Sequence, residues 1–170
     1  MILSIYSDDL REAHQFQGLS NDCGPFCAAI VSNALKGTSL WGDELAIEMN
    51  KPYRWGFIPI PRRIFHWATF PWGVVNVLKS NGLAARWKMF KRAKDLQENL
   101  GNGIVPVVII GSWRPLWSHY KILVAHDETK GWGFVDPAQM VSEIFWDSDG
   151  EFMKLWKNLW RMTILVDPTS

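Results

Sequence analysis

The 170-residue sequence predicts an α+β fold, with an N-terminal helical part packed on a C-terminal antiparallel sheet. Three observations carry this prediction. Apolar residues recur at helical spacing early in the chain, as in Phe26, Ile30, Val31 and Leu35. Short β-branched apolar runs dominate the second half, as in IVPVVII at 104–110. Helices come first and strands later, which argues against the alternation of a parallel α/β sheet. The length suits one domain over residues 1–170 with enough bulk for a proper core.

The elements follow in order. Asp22 is a helix-capping residue type, and Pro25 falls in the first turn, where a missing N–H costs little. The helix this starts carries Cys23 and Cys27 and stops near Gly37. A second helix is predicted over 41–49 (WGDELAIEM). Residues 51–71 contain four prolines and six aromatics with little periodicity, and read as a long ordered loop, a kind of segment that often carries function. A third helix over 71–81 ends at Gly82. A short strand over 84–90 and an amphipathic helix over 91–100 follow. Strands are then predicted at 104–110, 119–125 (HYKILVA) and 131–135 (GWGFV), the last two joined by a DETKG turn as a hairpin. A helix over 149–159 and a strand over 161–166 close the chain.

Composition narrows the function classes. A net charge of +1 provides no field for nucleic acid. No basic segment precedes an apolar one at the start, so no signal peptide is expected, and no apolar run approaches the ~20 residues that span a bilayer. The two cysteines lie four apart in one predicted helix, which disfavours a disulfide, and no Cys/His spacing suggests zinc. A reducing, cytoplasmic location is therefore expected, with no metal and no cofactor. The chain holds 11 tryptophans, expected mostly in the core or lining a groove.

The chemistry centres on the stretch QFQGLSNDCGPFCAAIV. A thiol at a helix N-terminus meets unpaired N–H groups and a positive partial charge, which favour its thiolate. Cysteine is also a common core residue, so Cys23 alone is not decisive. A nucleophile needs a base, an orienter for that base and donors for the oxyanion. Gln17 lies on the polar lead-in, His119 opens a predicted strand, and Asp136 ends the next one before Pro137. A hairpin of those two strands brings His119 and Asp136 to one edge, where the carboxylate can set the imidazole tautomer.

The strings Q-x-x-x-x-D-C-G-P, S-H-Y-K-I-L-V and G-F-V-D-P-A together resemble the papain-like cysteine peptidases of the C39 type. These include bacteriocin-processing peptidase domains and stand-alone C39-like proteins. The likeness continues through DELA at 43–46, GIVPVV at 103–108 and FMKLWKNLWRMTI at 152–164, so it spans nearly the whole chain. It implies a papain-like fold and hydrolysis of a peptide bond in a peptide or protein substrate. It assigns the nucleophile to Cys23, the base to His119, its orienter to Asp136 and the oxyanion donor to Gln17. The same residues admit acyl or peptidyl transfer, and the same fold admits a non-catalytic peptide-binding module.

Other residues are weighed against this set. Cys27 is one turn further along and is expected in the core. Gln15 is a second candidate oxyanion donor, and His14 a competing base. Trp113 and Trp117, flanking the segment before His119, and His66 in the aromatic loop are candidate substrate contacts. His126 and Asp127 are expected beyond the strand, facing solvent. Arg62 and Arg63 are expected to form a solvated pair.

Overall fold

The computed structural model describes residues 1–65 and 67–169. Its elements in chain order are β1 (Ile2–Leu3), α1 (Ser7–Glu12), α2 (Cys23–Lys36), α3 (Gly42–Met49), β2 (Tyr53–Trp55), β3 (Ile58–Ile60), β4 (Arg63–Ile64) and β5 (Ala68–Thr69). Then come α4 (Pro71–Ser80), β6 (Ala84–Lys88), α5 (Ala93–Gly101), β7 (Val105–Trp113), β8 (Leu116–Asp127), β9 (Gly131–Val135), β10 (Phe145–Asp147), α6 (Asp149–Asn158) and β11 (Thr163–Asp167). Among the described residues, one antiparallel sheet runs β10-β9-β8-β7-β11-β6, with β1 added on β8. The last strand of the chain therefore lies inside the sheet, between β7 and β6.

The apolar run at 104–110 explains the architecture. Alternate residues of a strand point to opposite faces. Val105, Val107 and Ile109 join one core cluster with Cys27, Ile30 and Val31 of α2 and Val74 and Leu78 of α4. Val108 and Ile110 join the other, with Leu96 and Leu100 of α5 and Phe152 and Trp156 of α6. The sheet is covered on both faces, so its central strand is apolar throughout rather than alternating. Full burial of each large side chain in these clusters stabilises the fold by about 1.5–3 kcal/mol before entropy is counted.

Helix α2 is buried from Cys23 through Ser32, as its position over the sheet requires. It ends at Gly37, whose φ of 64° is a left-handed conformation glycine adopts without strain. Its start departs from expectation: Asp22 occupies the N-cap position but makes no side-chain cap hydrogen bond.

Residues 51–71 form two small hairpins rather than a loop. β2 pairs with β3 around Gly56, and β4 pairs with β5. Two-stranded ribbons have only edges, so Pro59 finds a place without breaking a ladder. Arg62 and Arg63, expected in solvent, are both buried. Arg62 Nε donates to the Lys51 carbonyl, Nη1 to Glu48 Oε1 at 3.0 Å and Nη2 to the Glu48 carbonyl. Arg63 Nη1 donates to the Ala46 carbonyl, and Nη2 donates to Asp22 Oδ1. The two guanidiniums satisfy carbonyls at the end of α3 and fasten the hairpins to the helical layer.

The segment before His119 is also not a loop. β7 and β8 continue past the expected ends as one long hairpin that turns at Arg114 and Pro115, with Trp113 opposite Leu116. His119 is thus the fourth residue of β8, paired with Ile110. β8 extends to Asp127, so His126 lies on the strand and packs against Trp132 and Gln97 rather than facing solvent. Asp127 is the last residue of β8, opposite Gly131, rather than beyond the strand, and the Thr129 hydroxyl and the Thr129 and Lys130 N–H groups donate to it and hold its carboxyl down at about 2.

Candidate active site

Cys23 is the first residue of α2 and is 8% exposed, so it is enclosed but not sealed. It lines a pocket of about 60 Å³ together with Gln17, Asn21, Trp67, Ala68, Thr69, Ser118, His119 and Tyr120. Gly24 permits this closeness. A Cβ there would lie 2.8 Å from Thr69 Cβ, so only glycine lets β5 press against the first turn of α2. The Tyr120 hydroxyl donates to the Thr69 carbonyl at 2.7 Å and fixes β5 from the sheet side.

The pairing of β8 with β9 runs to Ile122 opposite Val135, which places Asp136 beside the beginning of β8. His119 Nε2 donates to Asp136 Oδ1 at 2.6 Å. That leaves Nδ1 as the ring nitrogen without a carboxylate partner, and His119 and Cys23 line the same pocket. The Ala138 N–H donates to the same Asp136 oxygen at 2.9 Å. Lys121, two residues after His119, sits 3.6 Å from Asp136 Oδ2 and donates to Asp147 Oδ2 at 2.9 Å.

These contacts set the charges. Burial pulls the His119 ring toward its neutral form, but the hydrogen bonds to Asp136 and Cys23, and their charges, outweigh it and push the pKa up to about 9. Burial pushes the Asp136 carboxyl up, yet the His119 hydrogen bond and charge, the Ala138 N–H and Lys121 hold it below its ordinary value. The pair is therefore arranged to be imidazolium and carboxylate at neutral pH. Cys27 differs: burial, then the proximity of Cys23 and Asp136, pushes its thiol well above the ordinary range, and it donates to the Tyr120 carbonyl. It is a core residue, as expected.

Gln17 reaches the pocket because its segment is laid along the Asp136 turn. Its backbone N–H donates to the Pro137 carbonyl at 2.8 Å, and His14 Nε2 lies 3.1 Å from the Asp136 carbonyl oxygen. Gln17 Nε2 donates to the Ser20 carbonyl at 2.8 Å, which uses one of its two amide hydrogens. Gln15 does not compete. Its Nε2 donates to the Leu40 carbonyl, and its Oε1 accepts the Gly42 N–H. His14 likewise meets the backbone of Asp136, not the thiol.

Next to this pocket, and sharing Asn21, Trp67, Ala68, Thr69, Ser118 and Tyr120 with it, lies an apolar groove of about 360 Å³. Trp113, Leu116 and Trp117 from the β7–β8 tip form one wall, and Ile64 and Trp67 the other. Leu159, Trp160 and Met162 complete it. The Trp113 indole N–H donates to the Asn158 carbonyl at 2.6 Å, and its ring meets Trp160 edge-on. Trp113 and Trp117 are thus groove residues, as expected, while His66 lies outside the described residues. Sequence reasoning did not single out Asn21, Trp67, Thr69, Tyr120, Lys121 or Trp160. Tyr120 and Lys121 were readable as neighbours of His119; the rest depend on contacts distant in sequence. Among the described residues, no group of three or more His, Cys, Asp or Glu side chains could hold a metal ion, and no helix is long and apolar enough to cross a membrane.

The fold of the chain is that of C39 and C39-like peptidase domains. A protein described as a C39-like peptidase from Bacillus anthracis superposes with a TM-score of 0.70 at 14% identity, over 93% of this chain and 96% of that one. A double glycine motif protease from an AMS/PCAT transporter, solved with its leader peptide, gives 0.61 at 15% identity over 92% and 91%. The peptidase domain of Streptococcus ComA, a bifunctional ABC transporter of a quorum-sensing pathway, gives 0.60 at 19% identity over 88% and 93%. No protein-family model and no curated protein sequence matches the chain.

Proposed function

We propose that the chain is a cysteine peptidase in which Cys23 is the nucleophile, His119 the acid and base, Asp136 its orienter and Gln17 an oxyanion donor. One observation carries the reading: Gln17, Cys23 and His119 line a single pocket, with the Asp136 carboxylate on the far ring nitrogen of His119. An imidazolium beside the sulfur favours a thiolate, which attacks the carbonyl carbon of the scissile bond. The second Gln17 amide hydrogen and the Cys23 backbone N–H receive the oxyanion, each such donor being worth about 3 kcal/mol. His119 then protonates the leaving amine, and water, deprotonated by the same ring, clears the thioester. Asp136, fixed by Ala138 and Lys121, keeps the ring aimed throughout.

The substrate is a peptide, as for the transporter-derived neighbour solved with a leader peptide. The adjoining groove, walled by Trp67, Trp113, Trp117 and Trp160, accepts apolar side chains of that peptide. The presence of every reacting group favours turnover over a non-catalytic peptide-binding module. The decisive experiment incubates the protein with a proteome-derived peptide library and reads new termini by mass spectrometry. The parent should generate them with apolar residues enriched near the cut, and C23A should generate none. Cleavage that persists in C23A, or a parent that releases nothing, refutes the assignment.

A further inference from the structure

Asp22 precedes the nucleophile and is among the residue types that cap helices best, yet its carboxylate does not cap α2. Asp22 Oδ1 instead accepts a hydrogen bond from Arg63 Nη2, on a side chain that is only 2% exposed. Arg63 Nη1 is fixed on the Ala46 carbonyl, and Arg63 Nε has no hydrogen-bond partner among the described residues. A buried guanidinium with one donor unused holds a carboxylate firmly, because nothing else nearby neutralises it. The strand carrying Arg63 pairs with the strand carrying Thr69, the residue pressed on Gly24. One small hairpin therefore grips the start of α2 at Asp22 and Gly24, on either side of Cys23.

We propose that Arg63 is a positioning residue that draws the Asp22 carboxylate away from the first turn of α2, leaving the N–H groups there free for the negative charge formed beside Cys23. The inference rests on the reading of Cys23 as the nucleophile. Released from Arg63, Asp22 would do what its type does at a helix start and accept from the Gly24 N–H, the N2 donor, since Pro25 at N3 has no N–H. It would then set a full negative charge, no longer neutralised by Arg63, against the thiolate. The sequence alone points to capping at this position, and the buried arginine reverses it.

The test is the rate of Cys23 alkylation by iodoacetamide at pH 7, located by mass spectrometry so that Cys27 is read separately. It requires no peptide substrate. R63M should slow the reaction by about tenfold, and R63M/D22A should recover most of the loss because no carboxylate remains to interfere. A double variant as slow as R63M overturns the inference and leaves Arg63 as a fastener of the groove wall. An R63M rate equal to the parent's overturns it as well. If circular dichroism shows R63M unfolded, the same comparison runs through R63K and R63K/D22A. There the single-point hold of an ammonium should slow alkylation about threefold, and removal of Asp22 should again restore it. A parent whose Cys23 does not react removes the nucleophile reading and this inference with it, whereas a reactive parent without recovery removes only the latter.

Discussion

Raising the pH should switch the site off through His119 before it affects the rest of the molecule. The ring holds its proton up to about 9, against 6.5 for a free histidine. That difference corresponds to about 3 kcal/mol in favour of the imidazolium, at about 1.4 kcal/mol per decade. It is a net figure, reached although burial opposes it, so the hydrogen bonds to Asp136 and Cys23 contribute more than the total. Because the folded ring binds its proton more tightly than the unfolded chain, the associated stability is complete below about pH 6.5 and lost as pH rises through about 9. The rate of peptide cleavage should therefore fall along an alkaline limb near pH 9. Replacing Asp136 with Asn keeps the shape and the burial but removes the charge. The limb should then move down by about one to two pH units. Cleavage rates measured from pH 5 to 10 in parent and D136N test this, with far-UV circular dichroism to verify folding at each pH. A limb that stays at the same pH in D136N refutes the assignment of Asp136 as the group that charges the ring.

Three other perturbations have expected outcomes. K121M removes the cation between Asp136 and Asp147 and leaves two poorly exposed carboxylates facing each other, so urea denaturation should show a loss of about 3 kcal/mol. G73A sets a Cβ 2.3 Å from the Arg62 carbonyl oxygen, a backbone atom that cannot step aside, and should lower stability by about 1–3 kcal/mol in the same assay. W117A removes an aromatic wall of the groove and should raise KM about tenfold for peptides with apolar residues near the cut, read in steady-state cleavage.

The residues of the proposed site were legible because each stands at a punctuation mark that local chemistry writes. Cys23 follows a capping residue and precedes Gly24 and Pro25, His119 leads an apolar strand, and Asp136 precedes a proline. The two strands joined by DETKG also formed the expected hairpin, which brought His119 and Asp136 together. What surrounds them was not legible. The burial of Arg62 and Arg63 depends on Glu48 and Asp22, partners 14 and 41 residues away that leave no periodic trace. Pairings of only two or three residues, interrupted by prolines, kept β2 to β5 from reading as strands. The long β7–β8 hairpin was hidden because its tip is tryptophan-rich on both sides of a proline, a composition that suggests a loop. α1 was not foreseen at all, being six residues with three acidic groups and little apolar pattern. The tryptophans are mostly core or groove lining, as expected: Trp132 and Trp156 are core and Trp67, Trp113, Trp117 and Trp160 line the groove, while Trp41 and Trp55 face outward.

The position of β11 has a consequence for biosynthesis. Translation delivers the Cys23 thiol well before the strand that joins β7 to β6, Thr163–Asp167. Until it slots in, Val105–Val108 and Ala84–Lys88 remain open edges, and Leu159, Trp160 and Met162 have no fixed seat. A nascent chain thus carries Cys23 without a finished cleft until β11 emerges, and the ribosome itself times when the molecule acquires one.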